Sequence, residues 1–134
     1  MYLQRTVKKE VGAAGIGLHT GRKINMTIKP AGVDAGIVFL RRDLSKNNII
    51  KAEFNNVLDT HLATTIGING TRISTVEHLL SAFSGMGLDN AVVEVDAPEI
   101  PIMDGSALPF VNLLKNVGTK VQGKGKRLLL IKKA

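Results

Sequence analysis

Residues 73–98 read ISTVEHLLSAFSGMGLDNAVVEVDAP, and the change of period inside this stretch decides the fold class. Val76, Leu79, Leu80, Phe83 and Met86 recur at helical spacing, which gives a helix with one apolar face. NAVVEVDAP then turns to β-branched residues and is closed by Pro98, the pattern of a strand. A helix that is apolar on one side only must be covered by a sheet or by another helix.

The flanking sequence supplies both. Upstream, QRTVKKEV (4–11) reads as a first strand, and AGIGLHTGRK (14–23), with Gly15, Gly17 and Gly21, as a loop or short bulged hairpin. KINMTIKP (23–30) alternates Ile24, Met26 and Ile28 with polar residues, as a strand with one buried face does. GIVFLRRD, IIKAEFNNV and HLATTIGI are further strand candidates, and Asn69–Gly70 is a type I′ hairpin signal. Downstream, SALPFVNLLKNVG (106–118) is a second helix with Phe110, Val111, Leu113, Leu114 and Val117 on one face, Pro109 in its first turn and Gly118 at its stop. GTKVQGKGK reads as a flexible basic connector, and RLLLIKK as one more strand. The expected architecture is a two-layer α+β sandwich, a mainly antiparallel sheet with both helices on one face.

Composition narrows the function classes. A chain of 134 residues, 44% hydrophobic and 22% charged, makes one domain with a real core. Without cysteine there is neither a disulfide nor a thiolate metal site, and a reducing compartment is the easier reading. MYLQRTVKKE has no apolar segment of the secretory kind, and no apolar run approaches the ~20 residues that span a bilayer, so a cytoplasmic protein is expected. The net charge of +7 is uneven: residues 1–104 carry 11 basic and 11 acidic side chains, while residues 105–134 carry 7 basic and none acidic. A neutral body with a basic tail, and only 4% aromatic residues, argues against a nucleic-acid partner. The competing class is a freestanding α+β binding module with a basic RNA- or anion-binding tail.

The chemistry-bearing feature is Glu77–His78. Ser74-Thr75-Val76-Glu77 matches the capping box, in which the Glu bonds back to the helix start. Yet the face away from the core carries Ser74, Glu77, His78, Ser81, Ser84 and Gly85, small and polar apart from the pair, so another element or a ligand can approach. A His ligand beside a Glu proton acceptor is what metal-assisted hydrolysis uses. H-E-x-x-H is absent, and only His19 and His61 remain as further imidazoles. Asp104 reads as a turn or capping acceptor before Gly105-Ser106, and Asp89–Asn90 as a turn into the following strand.

Over its whole length the chain resembles the N-terminal half of the UDP-3-O-acyl-N-acetylglucosamine deacetylases, zinc amidases of lipid A biosynthesis. QRTVKKEV, GIGLHTG, GIVFLRRD, RLLLIKK and above all RISTVEHLLSAFSGMGLDNAVVEVDAPEIPIMDGSALPFV carry the resemblance. It implies Glu77 as general base and His78 as a zinc ligand, with Leu18, His19 and Leu62 bordering the substrate. The family commonly has a more apolar or sulfur-containing residue where this chain has His61 or Ala63. The other zinc ligands, in an H-x-x-x-D helix, are implied in a second domain, as are the His that assists the leaving group and the acyl passage. On this reading residues 1–118 are the N-terminal domain, and residues 119–134 a basic linker and the first strand of that second domain. The partners are then the UDP-sugar lipid substrate and the second domain, and the 134-residue chain alone is inactive.

Overall fold

The computed structural model describes residues 2–134. Alternating apolar residues make the strands. β1 (Leu3–Val7), β2 (Val11–Ile16), β3 (Lys23–Pro30), β4 (Ile37–Arg41) and β5 (Ile49–Lys51) come first, followed by a single 3-10 turn over Phe54–Asn56. β6 (Val57–Asp59), β7 (Thr65–Ile68) and β8 (Thr71–Ile73) lead to helix α1 (Glu77–Gly85). β9 (Ala91–Val95), helix α2 (Leu108–Val117) and β10 (Thr119–Gly125) complete the order.

The fold is α+β and mostly antiparallel, as expected, but the strands form three sheets and not one. The main sheet has the order β2-β3-β9-β4-β5, with β4–β9 its one parallel pair. β6-β7-β8 form a small sheet, and β1 pairs with β10. In β3, Ile24, Met26 and Ile28 share one face, as do Ala91, Val93 and Val95 in β9. These residues form a single core with Leu79 and Phe83 of α1 and Phe110 and Leu114 of α2, so both helices cover the same face of the main sheet. Arg41, buried at the end of β4, fixes the small sheet to the large one: Nη1 donates to the Arg72 carbonyl at 2.9 Å, while Nε and Nη2 grip Asp43.

The turn chemistry follows the sequence. Asn69 (φ 55°) and Gly70 (φ 80°) are both left-handed between β7 and β8, as a type I′ turn needs. Gly118 (φ 78°) ends α2, and Pro109 sits in its first turn.

The end of the chain departs from expectation. Residues 119–125 are not a flexible connector: they form β10, antiparallel to β1. RLLLIKK is not a strand here; residues 127–134 have no regular structure, and Leu128 to Ile131 are exposed. The β1–β10 pair is joined to the core sheet by amides. Asn90, 1% exposed, donates to Gln4 Oε1 at 2.9 Å and to Gln122 Oε1 at 2.8 Å, and accepts from the Gly36 amide at 2.9 Å. Asp89 accepts from the Arg5 amide and from Lys126 Nζ. Asp89–Asn90 is therefore a junction between strands rather than a simple turn.

Asn90→Asp keeps the shape and removes the two N–H donors, so that the buried Gln4 oxygen, which keeps only the Asp34 amide, and the half-buried Gln122 oxygen face a carboxylate. Thermal or urea unfolding should show a loss of about 1–3 kcal/mol, from two lost hydrogen bonds and acceptor oxygens turned against a partly desolvated carboxylate. A loss below about 0.5 kcal/mol would show the junction to be dispensable.

Candidate functional site

The start of α1 is set by long-range backbone bonds. The Ser74 amide donates to the Pro98 carbonyl and the Ile100 amide to the Ser74 carbonyl, so residues 98–100 lie alongside the chain just before the helix. The Val76 amide reaches the Thr64 carbonyl at 3.3 Å. Thr75, between them, is left-handed at φ 60°, which turns the chain from its pairing with residue 99 into the helix. No side chain caps α1, and Glu77 is its first residue. The capping-box reading is thereby corrected: the box needs Glu three positions into the helix, and the Ser74 amide it would bond is already held by Pro98. The Ser74 hydroxyl instead pairs with that of Thr65 at 2.9 Å.

Glu77 is half-buried, and its Oε2 accepts the Thr64 amide at 3.1 Å. That bond ties the loop of Leu62 and Ala63 to the helix start. His78 is half-buried too, and its Nδ1 is buried with no hydrogen-bond partner. Such an atom is costly unless something outside this set of residues engages it. A partnerless imidazole on the residue next to a carboxylate side chain has the chemistry of one position of a metal site. It fits only one position: among the described residues no three of His, Asp and Glu converge. His61 is exposed, its amide bonded to Asp59 at 2.9 Å, and it joins no such group. Asp104 serves as the turn acceptor expected of it, taking the Ser106 amide at 2.9 Å and hydroxyl at 2.7 Å. These bonds hold its carboxyl below the usual range, the side-chain bond first, and nearby His78 adds a smaller pull in the same direction.

His19 and Leu62 face one cleft. This cleft, of about 210 Å³, is lined by both, with His61, Arg72 and Ser74, and a smaller one of about 120 Å³ by His19, Thr20, Arg72 and Glu99. Leu62 is 80% exposed and left-handed (φ 63°), a rare state for a leucine. Leu18, 59% exposed in the same turn as His19, lines neither cleft.

The model of the LpxC family, UDP-3-O-acyl N-acetylglycosamine deacetylase, matches residues 4–134. The chain belongs to this deacetylase family. The protein named UDP-3-O-acyl-N-acetylglucosamine deacetylase in Syntrophus aciditrophicus is 59% identical over 133 residues, 99% of this chain and 42% of its own length. Those of the same name in Teredinibacter turnerae and Saccharophagus degradans are 54% and 55% identical over 99% of this chain and 44% of theirs. The chain therefore spans less than half the length of these relatives. Among the described residues no helix is long and apolar enough to cross a membrane.

One residue beside these clefts gave no motif in the sequence. Glu99, 1% exposed, accepts the His19 amide at 2.9 Å, the Thr20 amide at 3.1 Å and the Thr75 hydroxyl at 3.3 Å. Its signal was its setting, an acidic residue inside the otherwise apolar run Pro98-Glu99-Ile100-Pro101. Burial raises its pKa, but the bonds from His19, Thr20 and Thr75 outweigh burial and bring it below the ordinary value of 4.5. The unfolded chain thus binds this proton more readily than the native one. The carboxylate's contribution to stability is complete above the unfolded pKa and is lost as pH falls through the lower native pKa. Glu99→Gln should melt well below the wild type near pH 7, and the gap should narrow toward about pH 3. A gap independent of pH would show that the ionised form is not what these donors hold.

Proposed function

We propose that the protein to which these residues belong hydrolyses the N-acetyl group of UDP-3-O-acyl-N-acetylglucosamine with zinc, and that this chain supplies one half of the active site. The observation that carries the reading is the partnerless, buried Nδ1 of His78 beside a Glu77 carboxylate held by a single amide. His78 would be one zinc ligand, with the remaining ligands on the part of the protein beyond this chain. Zinc, when bound, supplies a Lewis acid that polarises the amide carbonyl and acidifies water. Glu77 is the general base. With Oε2 engaged by Thr64, its Oε1 is available to take a proton from the attacking water. As the C–N bond breaks, the same carboxyl can return that proton to the departing amine, so acetate and a free amino sugar leave and Glu77 is ready again. His19 and Leu62, on the shared cleft, would contact the UDP-sugar lipid, and Leu18 would border it.

The competing reading, a module binding RNA or anions through a basic tail, loses two of its cations. Lys124 pairs with Asp34, and Lys126 with Asp89 at 2.7 Å.

Glu77→Gln separates the two roles of that side chain. Gln can still accept the Thr64 amide, so this domain's stability should shift by less than about 0.5 kcal/mol, as for a mild substitution. In the full-length protein kcat should fall about 10²–10⁴-fold, the usual size of general-base catalysis. Near-normal turnover with an intact fold would remove Glu77 from the chemistry.

Zinc titration of the 134-residue chain should show no site tighter than roughly micromolar, because a catalytic site takes three protein ligands and only one is proposed here. A nanomolar site by calorimetry would return His19 and His61 as ligands.

A further inference from the structure

We infer that Glu99 is a positioning residue, whose buried carboxylate pins the His19 turn to the joint that carries Glu77 and His78. The inference deepens the deacetylase reading and rests on it for the role given to His19.

Four independent features converge on this carboxylate. Its oxygens take the amides of His19 and Thr20, neighbours on a turn some eighty residues away, and the hydroxyl of Thr75, two residues before Glu77. Gly17 leaves room for it, since a Cβ there would overlap both Glu99 Oε2 and Thr20 Oγ1. Ser74 is bonded on both sides of Glu99, through the Pro98 carbonyl and the Ile100 amide. Thr75 holds a left-handed conformation that an ordinary threonine avoids. No cation is paired with Glu99 among the described ion pairs. A loop could be closed with an apolar side chain at less cost than burying a carboxylate among neutral donors. What the carboxylate adds is direction: two adjacent amides aimed at one group fix the turn's orientation, and with it the place from which His19 lines both clefts.

The inference can be tested at two levels. In Glu99→Gln one end of the side chain becomes a donor, so it cannot accept from both amides. Hydrogen exchange of the 134-residue chain should show the His19 and Thr20 amides losing protection by about tenfold or more, the size of one hydrogen bond, while Val93 and Ile28 in the core keep theirs. Gly17→Ala, whose added Cβ crowds both the carboxylate and the Thr20 hydroxyl, keeps Glu99 but drives it from the turn and should reproduce this local loss. It serves also as the second variant should Glu99→Gln fold poorly. In the full-length protein Glu99→Gln should raise KM about tenfold with kcat changed less than about threefold, because a binding contact and not the reacting atoms is disturbed. His19→Ala should raise KM similarly, and the double variant should add little, since both changes remove one contact. Unchanged protection at His19 and Thr20, or a loss spread evenly over core amides, would overturn the pinning. Additive effects of Glu99→Gln and His19→Ala would overturn action through His19. Should the wild-type full-length protein deacetylate nothing, the proposed function falls while the exchange result still decides the pinning.

Discussion

The parallel pairing of β4 with β9 is the constraint on which the rest depends. Ile37 to Arg41 run beside Ala91 to Val95 in the same direction, at the middle of the main sheet. Antiparallel neighbours can be joined by a tight turn, but a parallel pair needs a crossover that travels the length of the sheet. Here the crossover is residues 42–90, and it contains β5, the small sheet and α1. Placing Val93 and Val95 against Met26 and Phe39 in the core therefore also lays α1 on the covered face. The site is carried on the connection, where loops positioned by a rigid scaffold commonly hold function.

What makes the site definite is the way α1 begins. A helix start leaves amides without intrahelical partners, and a side-chain cap is the common remedy. This helix has none, and its entry is fixed instead by Thr64 on one side and by Pro98 to Ile100 on the other. Glu77 is consequently not consumed as a cap. It keeps one long-range bond, to a residue in the loop that forms the cleft wall, at the end of a helix whose dipole favours an anion. Three segments distant in sequence, residues 17–20, 62–64 and 98–100, thus meet at one turn of backbone.

The legible parts of the sequence were those governed by local periodicity. The apolar faces of both helices, the alternation of β3, the β-branched run of β9 and the Asn69–Gly70 turn follow from residues a few positions apart. The misread parts depend on partners far along the chain. Ser74-x-x-Glu77 fits a capping box locally, but Pro98 competes for the same Ser74 amide and wins. GTKVQGKGK has the glycines and lysines of a linker, yet Leu3 to Val7 offers it an edge to pair with, and Asp34 and Asp89 receive two of its lysines. One sheet was expected where there are three, because strand patterns show which residues are buried but not which strands pair. Within the candidate site, Glu77 and His78 stand out already as an acidic–imidazole pair on a small polar helix face, while the roles of Leu18, His19 and Leu62 are implied only by the family resemblance. Glu99 is marked by neither, since a lone acidic residue gives no period, and its importance is visible only once the amides of a turn about eighty residues upstream are seen to point at it.

The charge distribution takes on a different sense in the folded chain. Read linearly, a neutral body and a basic tail look like a scaffold with an anion-binding arm. Folded, β10 runs antiparallel to β1, and its Lys124, with Lys126 just beyond, returns to carboxylates of the body at Asp34 and Asp89. Both pairs stay partly open to solvent, so each contributes little to stability individually. Their consequence is orientational. Asp89 also accepts the Arg5 amide, Asp34 also accepts from Gln4, and both residues lie around the cavity beside Asn90. The lysines therefore complete a polar seam holding the terminal strand pair against the main sheet. Charges engaged in that seam are poorly placed to hold a polyanion as well, so what these two lysines add is the anchoring of the terminal strands rather than a binding arm.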